Sequence, residues 1–164
     1  MKIAVLYHSL SGNTKLIGEI IAKGAQSVSD DIETKVISIE DMSDEEIAFV
    51  NSSKAVIVGT PTYYANMTWQ MKKWLDTTKC QLCGKLGAAF ATCNQFGGGS
   101  EIAVNTLNQH LICKGMLVYT GGTSLGAPYI HAGAVCVKDG DEAQKKRAEI
   151  LGQRIAQKAV ELFK

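Results

Sequence analysis

The sequence has no excess of charge of either sign: 17 Lys and Arg stand against 16 Asp and Glu, a formal net charge of +1. A nucleic-acid binder carries a basic domain or stripe, and the only dense basic run here, "QKKRAE" at 144–149, reads as a solvated helix face. Proline is scarce, with two residues in 164, and no segment has the composition of a repeat or of a disordered chain. No apolar run is long enough to span a bilayer, and the N-terminal one lacks the basic stretch, long apolar core and cleavage site of a signal peptide. The expected location is the cytoplasm. Five cysteines is an odd number, which excludes a fully paired disulfide framework and agrees with reduced thiols. Two phosphate signatures are also missing, G-x-x-x-x-G-K-[ST] and G-x-G-x-x-G, which disfavours a nucleoside-triphosphate or dinucleotide site.

What is present is an alternation. The chain is 46% hydrophobic and 20% charged, and its length suits one domain over residues 1–164 with a substantial core. "KIAVLY" (2–7) reads as a buried strand, and 13–28 has helical spacing through Leu16, Ile17, Ile20 and Ile21. "ETKVISI" (33–39) alternates as a strand, and 43–50 is a short helix with Ser43 and Glu46 as a capping box. "KAVIVGT" (54–60) is a strand. Residues 67–78 carry the helical stripe Met67, Met71, Trp74 and Leu75. "KLGAAFAT" (85–92) is a strand broken by Gly87, followed by a helix over 99–113, a strand over 115–120 and a helix over 142–163. Five strands alternating with helices predict an α/β three-layer sandwich around a five-stranded parallel sheet.

In such sheets the ligand lies beyond the carboxyl ends of the strands. Those ends are "SLSGNT", "GTPTYYANM", "ATCNQFGGG" and "TGGTSLGAPY", all rich in Gly, Ser, Thr, Asn and aromatics. The first is a loop entering a helix N-terminus, where free amides and the helix dipole favour a phosphate. Ser9, Ser11 and Thr14 add hydroxyl donors, and Gly12 lets the backbone come close. With no lysine after the glycine, a monophosphate fits this loop. Tyr63 and Tyr64 in the second loop, and Phe96 beside Gly97 in the third, suit a flat ring. Together they describe a heteroaromatic with a phosphorylated tail.

These residues resemble a known family. "SLSGNT" resembles the phosphate loop of flavodoxins, written Ser/Thr-x-Thr/Ser-Gly-Asn-Thr. "GTPTYYANMTWQMKKWLD", "FATCNQFGGGSE", "KGMLV" and "GAPY" resemble NAD(P)H:quinone oxidoreductases of the tryptophan-repressor-binding-protein type, so the likeness runs from Ile3 to the terminal helix. It implies a flavodoxin-like fold, strand order 2-1-3-4-5, binding FMN, with NAD(P)H as hydride donor. The resemblance assigns cofactor binding to Ser9, Leu10, Ser11, Gly12, Asn13 and Thr14 around the phosphate. Around the ring it assigns Pro61, Thr62, Tyr63, Tyr64 and Asn66, then Thr92, Cys93, Asn94, Gln95, Phe96 and Gly97. Two departures separate this chain from the quinone reductases: it lacks their additional segment around the fourth strand, and Lys114 stands where they carry a histidine before the Gly-Met of the fifth. Neither quinone specificity nor their tetramer is carried over.

The electron-carrying flavodoxins are strongly acidic, and this chain is not, so the expected activity is an FMN-dependent NAD(P)H oxidoreductase passing electrons to a quinone, flavin or similar acceptor. The alternatives are a flavodoxin-type carrier without its own NAD(P)H turnover, and a flavin-binding sensor. The expected partners are a small-molecule acceptor or a redox protein, and Trp69, off the apolar stripe of its helix, offers a homodimer contact. No side chain is assigned as a general acid, because the cofactor carries the chemistry. His131 is placed near the flavin edge or in a plain loop, His8 packs, and His110 lies on a helix surface. Cys80-x-x-Cys83 has no second Cys/His pair, so no metal is assigned. It precedes the fourth strand, and a strand of about 7 residues at roughly 3.3 Å each keeps it some 20 Å from the flavin loops. Cys93, at the other end of that strand, is the cysteine within reach of the ring.

Overall fold

A computed structural model describes residues 1–163. The elements run β1 (Lys2–Tyr7), α1 (Asn13–Gln26), β2 (Glu33–Ser38), α2 (Asp44–Ser52), β3 (Ala55–Tyr63), β4 (Asn66–Met67), α3 (Trp69–Thr77), β5 (Leu86–Cys93), α4 (Ser100–Cys113), β6 (Leu117–Val118), β7 (Ala134–Val137) and α5 (Glu142–Phe163). The sheet order is β2-β1-β3-β5-β6, with β7 also on β5 and β4 on β3. Apart from the short β3–β4 hairpin, the pairings are parallel.

Side-chain alternation along the strands splits the core in two. Ile3 and Val5 of β1, with Ile57 of β3 and Phe90 of β5, join Ile17, Ile21, Leu151 and Ile155 from α1 and α5. Ala4 and Leu6, with Val56 and Val58, face Met71, Trp74, Leu75, Leu107 and Leu111 from α3 and α4. Period-two strands buried on both faces produce this three-layer arrangement. Phe90 lies across β3 because Gly59 has no side chain; a Cβ there would sit 2.0 Å from its ring. Helices α1 and α5 cross at glycines in the same way, with a Cβ on Gly24 falling 2.1 Å from the Glu149 carbonyl oxygen and one on Gly152 falling 2.0 Å from that of Ile21.

Several expectations need correction. The fifth strand is not continuous over 115–120: β6 pairs Leu117 and Val118 with Leu86 and Gly87, the chain leaves the sheet over 119–133, and β7 returns to pair with Phe90–Cys93. Gly133 makes the return possible, since a Cβ there would lie 2.1 Å from the Ala89 carbonyl oxygen. Gly87 does not break β5, which pairs through it on both sides. The helix expected from Met67 starts at Trp69, after Thr68 as N-cap. Met67 lies in β4 and still buries its side chain. The capping box of α2 forms as expected, with the Glu46 amide donating to Ser43 Oγ and the Ser43 amide to Glu46 Oε2.

Candidate cofactor site at the carboxyl edge of the sheet

Three loops meet beyond the carboxyl ends of β1, β3 and β5. They enclose a crevice of about 320 Å³ lined by Ser11, Asn13, Pro61, Thr62, Tyr63, Thr92, Cys93 and Asn94. No charged side chain is among them.

The first loop leaves β1 at His8 and enters α1 at Asn13. Its N-cap, Gly12, has φ 89°, the left-handed region that glycine reaches without strain. Its amide donates to Ser9 Oγ at 3.1 Å. Helix α1 has no side-chain cap and no acidic residue in its first turn, so nothing from the chain competes with an anion for its free amides. Thr14 is buried, and its hydroxyl meets that of Thr92 at 2.8 Å, tying the start of α1 to the end of β5.

The second loop is a tight hairpin. Tyr63 pairs with Asn66 across the turn residues Tyr64 and Ala65, both at positive φ (48° and 59°), as a type I′ turn demands. Asn-Gly would adopt this freely, whereas Tyr-Ala costs about 1–2 kcal/mol per residue. Asn66 Oδ1 accepts from the Met67 amide. Ala65 packs where Gly99 leaves room, since a Cβ on Gly99 would lie 2.4 Å from that of Ala65. The second loop is thereby seated on the third. Thr62 Oγ1 is buried and has no hydrogen-bond partner.

On the third loop, Cys93 is buried at the crevice wall, its thiol accepting from Ser100 Oγ (3.4 Å) and donating to the Cys136 carbonyl (3.7 Å). Burial pushes the neighbouring Cys136 thiol up to about 12. Asn94 lines the crevice, while Gln95, Phe96 and Gly97 lie outside it on the exposed rim. Of the expected residues, Ser9, Leu10, Gly12, Thr14, Tyr64 and Asn66 are likewise not in its lining. Leu10, Tyr64 and Phe96 are exposed apolar side chains at the same edge.

Two networks beneath the site lay outside the sequence reading. His8, fully buried after β1, meets Thr68 Oγ1 through Nδ1 at 3.1 Å. Its Nε2 lies 3.5 Å from Glu40 Oε1 without a hydrogen bond. Thr60 continues the chain, accepting from the Thr68 amide and donating to the Pro61 carbonyl, so the second loop rests on buried polar groups. Burial holds the His8 imidazole below its ordinary value, against the opposing pull of Glu40. The other network is Arg154 of α5, buried, donating to the carbonyls of Gly122, Leu125 and Gly126 and thus holding the 119–133 excursion. An arginine on a stripe with Leu151 was the available signal.

The remaining candidates fall elsewhere. His131 lines a separate cavity. His110 bonds the Thr106 carbonyl on its own helix. Cys80 and Cys83 precede Leu86 and so lie at the amino end of β5, as expected. Beside them the Lys85 ammonium donates to the Asn51 and Ser53 carbonyls at the end of α2, and burial lowers its pKa.

A family model described as NADPH-dependent FMN reductase matches residues 1–128. This chain belongs to the NADPH-dependent FMN reductase family. It is 43% identical over 164 residues to a flavodoxin of Clostridium saccharobutylicum, covering 99% of this chain and 100% of the relative. It is 34% identical over 150 residues to an NAD(P)H dehydrogenase (quinone) of Acidithiobacillus ferrooxidans, covering 78% and 72%. A solved flavodoxin from the domain Archaea superposes with a TM-score of 0.78 at 28% identity, covering 98% of this chain and 99% of that one. The flavodoxin-like fold and the family's FMN cofactor agree with the expectations from the motifs. The crevice fits that cofactor: an uncapped helix N-terminus suits the phosphate, and the orphaned Thr62 hydroxyl and uncharged wall suit a neutral ring edge. No helix among the described residues is long and apolar enough to cross a membrane.

Proposed function

We propose that this chain holds FMN in the carboxyl-edge crevice and is an oxidoreductase that takes a hydride from NAD(P)H and passes electrons to a quinone, a flavin or a similar acceptor. When bound, FMN supplies the redox chemistry. The chain's residues bind, orient and shield. Residues 9–14 hold the phosphate through the amides of the loop and of α1's first turn and the hydroxyl of Ser11. Pro61–Tyr63 and Thr92–Asn94 border the ring, with Thr62 Oγ1 and the Asn94 side chain as its polar contacts, while Tyr64, Asn66 and Gln95–Gly97 form the rim outside it. No side chain in the crevice serves as general acid or base, so protons exchange with solvent.

The observation that carries the reductase reading is the placement of the aromatics. Of Tyr63, Tyr64 and Phe96, only Tyr63 lines the crevice; Tyr64 is fully exposed at its turn tip and Phe96 is 81% exposed. A ring bordered by one aromatic keeps a face open for a nicotinamide to stack within about 3–3.5 Å, the range hydride transfer needs. The near-neutral charge agrees, because a dedicated carrier relies on a strong field to find its partner. The 43% identity to a flavodoxin over the full length favours a second reading, a carrier with no NAD(P)H turnover of its own. Its redox partner would then be a protein, and exposed Trp69 is the side chain placed for a contact between copies of the chain or with that partner.

Anaerobic mixing decides between them. The reductase reading expects NADPH or NADH to bleach the bound flavin within seconds, and the bleached protein to reduce a quinone or free flavin. If neither nucleotide bleaches it over many minutes while dithionite does, the carrier reading replaces it.

A further inference from the structure

Helix α5 presents Gln144, Arg147, Leu151 and Arg154 on one face, at spacings of three, four and three residues. Three of the four are buried and committed. Gln144 Oε1 accepts the outward-facing amide of Val137 at 2.8 Å, blunting the free edge of β7. Leu151 is in the core. Arg154 holds the 119–133 excursion by three carbonyls.

Arg147, between them, is partly buried yet makes no hydrogen bond or ion pair among the described residues, the Cys136 thiol being the group its charge acts on. It lines a cavity of about 280 Å³ together with Glu101 and Asn105 of α4, Val135 of β7, and Tyr129 and His131 of the excursion. The Val135 amide has the same outward sense as that of Val137, two residues on, but no side chain takes it. The cavity therefore gathers a free guanidinium, an imidazole, a carboxamide and a backbone amide, all able to donate. It also holds one exposed aromatic ring and one carboxylate not paired to the arginine. Guanidinium forks recognise phosphate, a carboxylate recognises ribose hydroxyls, and a tyrosine face stacks on a base.

The cavity adjoins the cofactor crevice. Val135 pairs with Ala91, two residues before Cys93, so these two lining residues, one from each site, are offset by one strand spacing, roughly 5 Å, across the sheet and about 7 Å along it. Glu101 is the second residue of α4, which directly follows the third flavin loop.

We propose that this cavity receives the phosphorylated adenosine end of NADPH, with Arg147 and His131 on the 2′-phosphate, Glu101 on the ribose and Tyr129 against the adenine. This rests on the reductase reading, in which the nicotinamide end enters the crevice. It assigns the donor preference to NADPH, because the Arg147 guanidinium and the hydrogen-bonding His131 imidazole face one carboxylate.

The test is binding without turnover. Adenosine 2′,5′-bisphosphate is titrated by calorimetry into the FMN-loaded protein and into its Arg147→Ala and Arg147→Lys variants. Arg147 makes no hydrogen bond or ion pair among the described residues, so both variants should melt close to the parent. Binding to the parent should weaken about tenfold or more in Arg147→Ala, the size of a lost charged hydrogen bond, and less in Arg147→Lys, with FMN retention unchanged. The proposal is overturned if the bisphosphate does not bind the parent, if Arg147→Ala binds it equally, or if inorganic phosphate binds as tightly as the nucleotide. NADPH steady-state kinetics separate the two claims. Nucleotide binding lost in Arg147→Ala with no flavin reduction in the parent sinks the reductase reading alone, while flavin reduction with an unchanged KM in the variant sinks the cavity assignment alone.

Discussion

Five helices start at the carboxyl edge of the sheet, and the first four of them start in two different ways. Helices α2 and α3 are closed by their own sequence: Ser43 caps the first with a reciprocal Glu46, and Thr68 caps the second. Helices α1 and α4 start from left-handed glycines, Gly12 and Gly99, with no side-chain cap. The closed pair flanks β2 and β4, away from the crevice lining. The open pair follows the first and third loops, and both bring residues to cavities, α1 through Asn13 to the crevice and α4 through Glu101 to the second cavity. A helix that satisfies its own amides contributes stability. One that leaves them free contributes a site, and its glycine sets how closely a ligand or a neighbouring loop approaches.

Exchanging the properties of the two kinds should break the comparison in a graded way. The largest effect is expected from Gly12→Val. A β-branched residue at φ 89° costs about 1–2 kcal/mol or more, and its side chain stands where the phosphate approaches, so FMN affinity should fall on the order of a hundredfold. Fluorescence titration of flavin into apoprotein measures this, and unchanged affinity would show that the first loop is not the phosphate site.

Gly99→Ala should come next. Its Cβ overlaps that of Ala65, pushing the hairpin off the third loop at a cost of about 1–3 kcal/mol, read as a lower melting temperature and a looser ring site. An effect on FMN but none on melting would mean that the Ala65 contact does not seat the loop.

Ser43→Ala should cost about 1 kcal/mol, a drop of roughly 2–4 °C in melting temperature for a chain of this size, with FMN affinity intact. A change in FMN affinity would dissolve the distinction between closed and open helices.

The smallest effect is a pH dependence. His8, bonded to the Thr68 cap, has a folded pKa below its ordinary value of 6.5. The unfolded chain therefore takes up the proton first as pH falls, and stability present above pH 6.5 is lost below it. Melting curves from pH 8 to pH 5 should show this acid loss, and His8→Asn should flatten it. A parent protein stabilised between pH 6.5 and pH 5 would contradict the burial of a neutral imidazole.

Much of this edge was legible in the residues. Buried runs such as "KIAVLY" and "KAVIVGT" announce parallel strands, and the change to Ser, Gly, Asn and Thr at their carboxyl ends marks the ligand side. What could not be read has local causes. The fifth strand is divided into Leu117–Val118 and Ala134–Val137, pieces too short to carry a period. The hairpin at Tyr64–Ala65 lacks the Asn-Gly signal of its turn type. Which side chains line the crevice was only partly readable, because loop residues share one composition whether they face inward, as Thr62 does, or outward, as Tyr64 does. Arg154 was hidden because an arginine in a long amphipathic helix normally reaches solvent, and its carbonyl partners lie some thirty residues earlier.

The central claim is that the uncapped N-terminus of α1 carries the affinity for the cofactor through its phosphate. Parallel titration of apoprotein with FMN and with riboflavin, which has the same ring and no phosphate, tests it directly. FMN should bind at least about a hundredfold more tightly than riboflavin at low salt, as several charge-assisted amide contacts require, and that gap should close in Gly12→Val. Equal affinity for the two flavins in the parent protein would contradict the account.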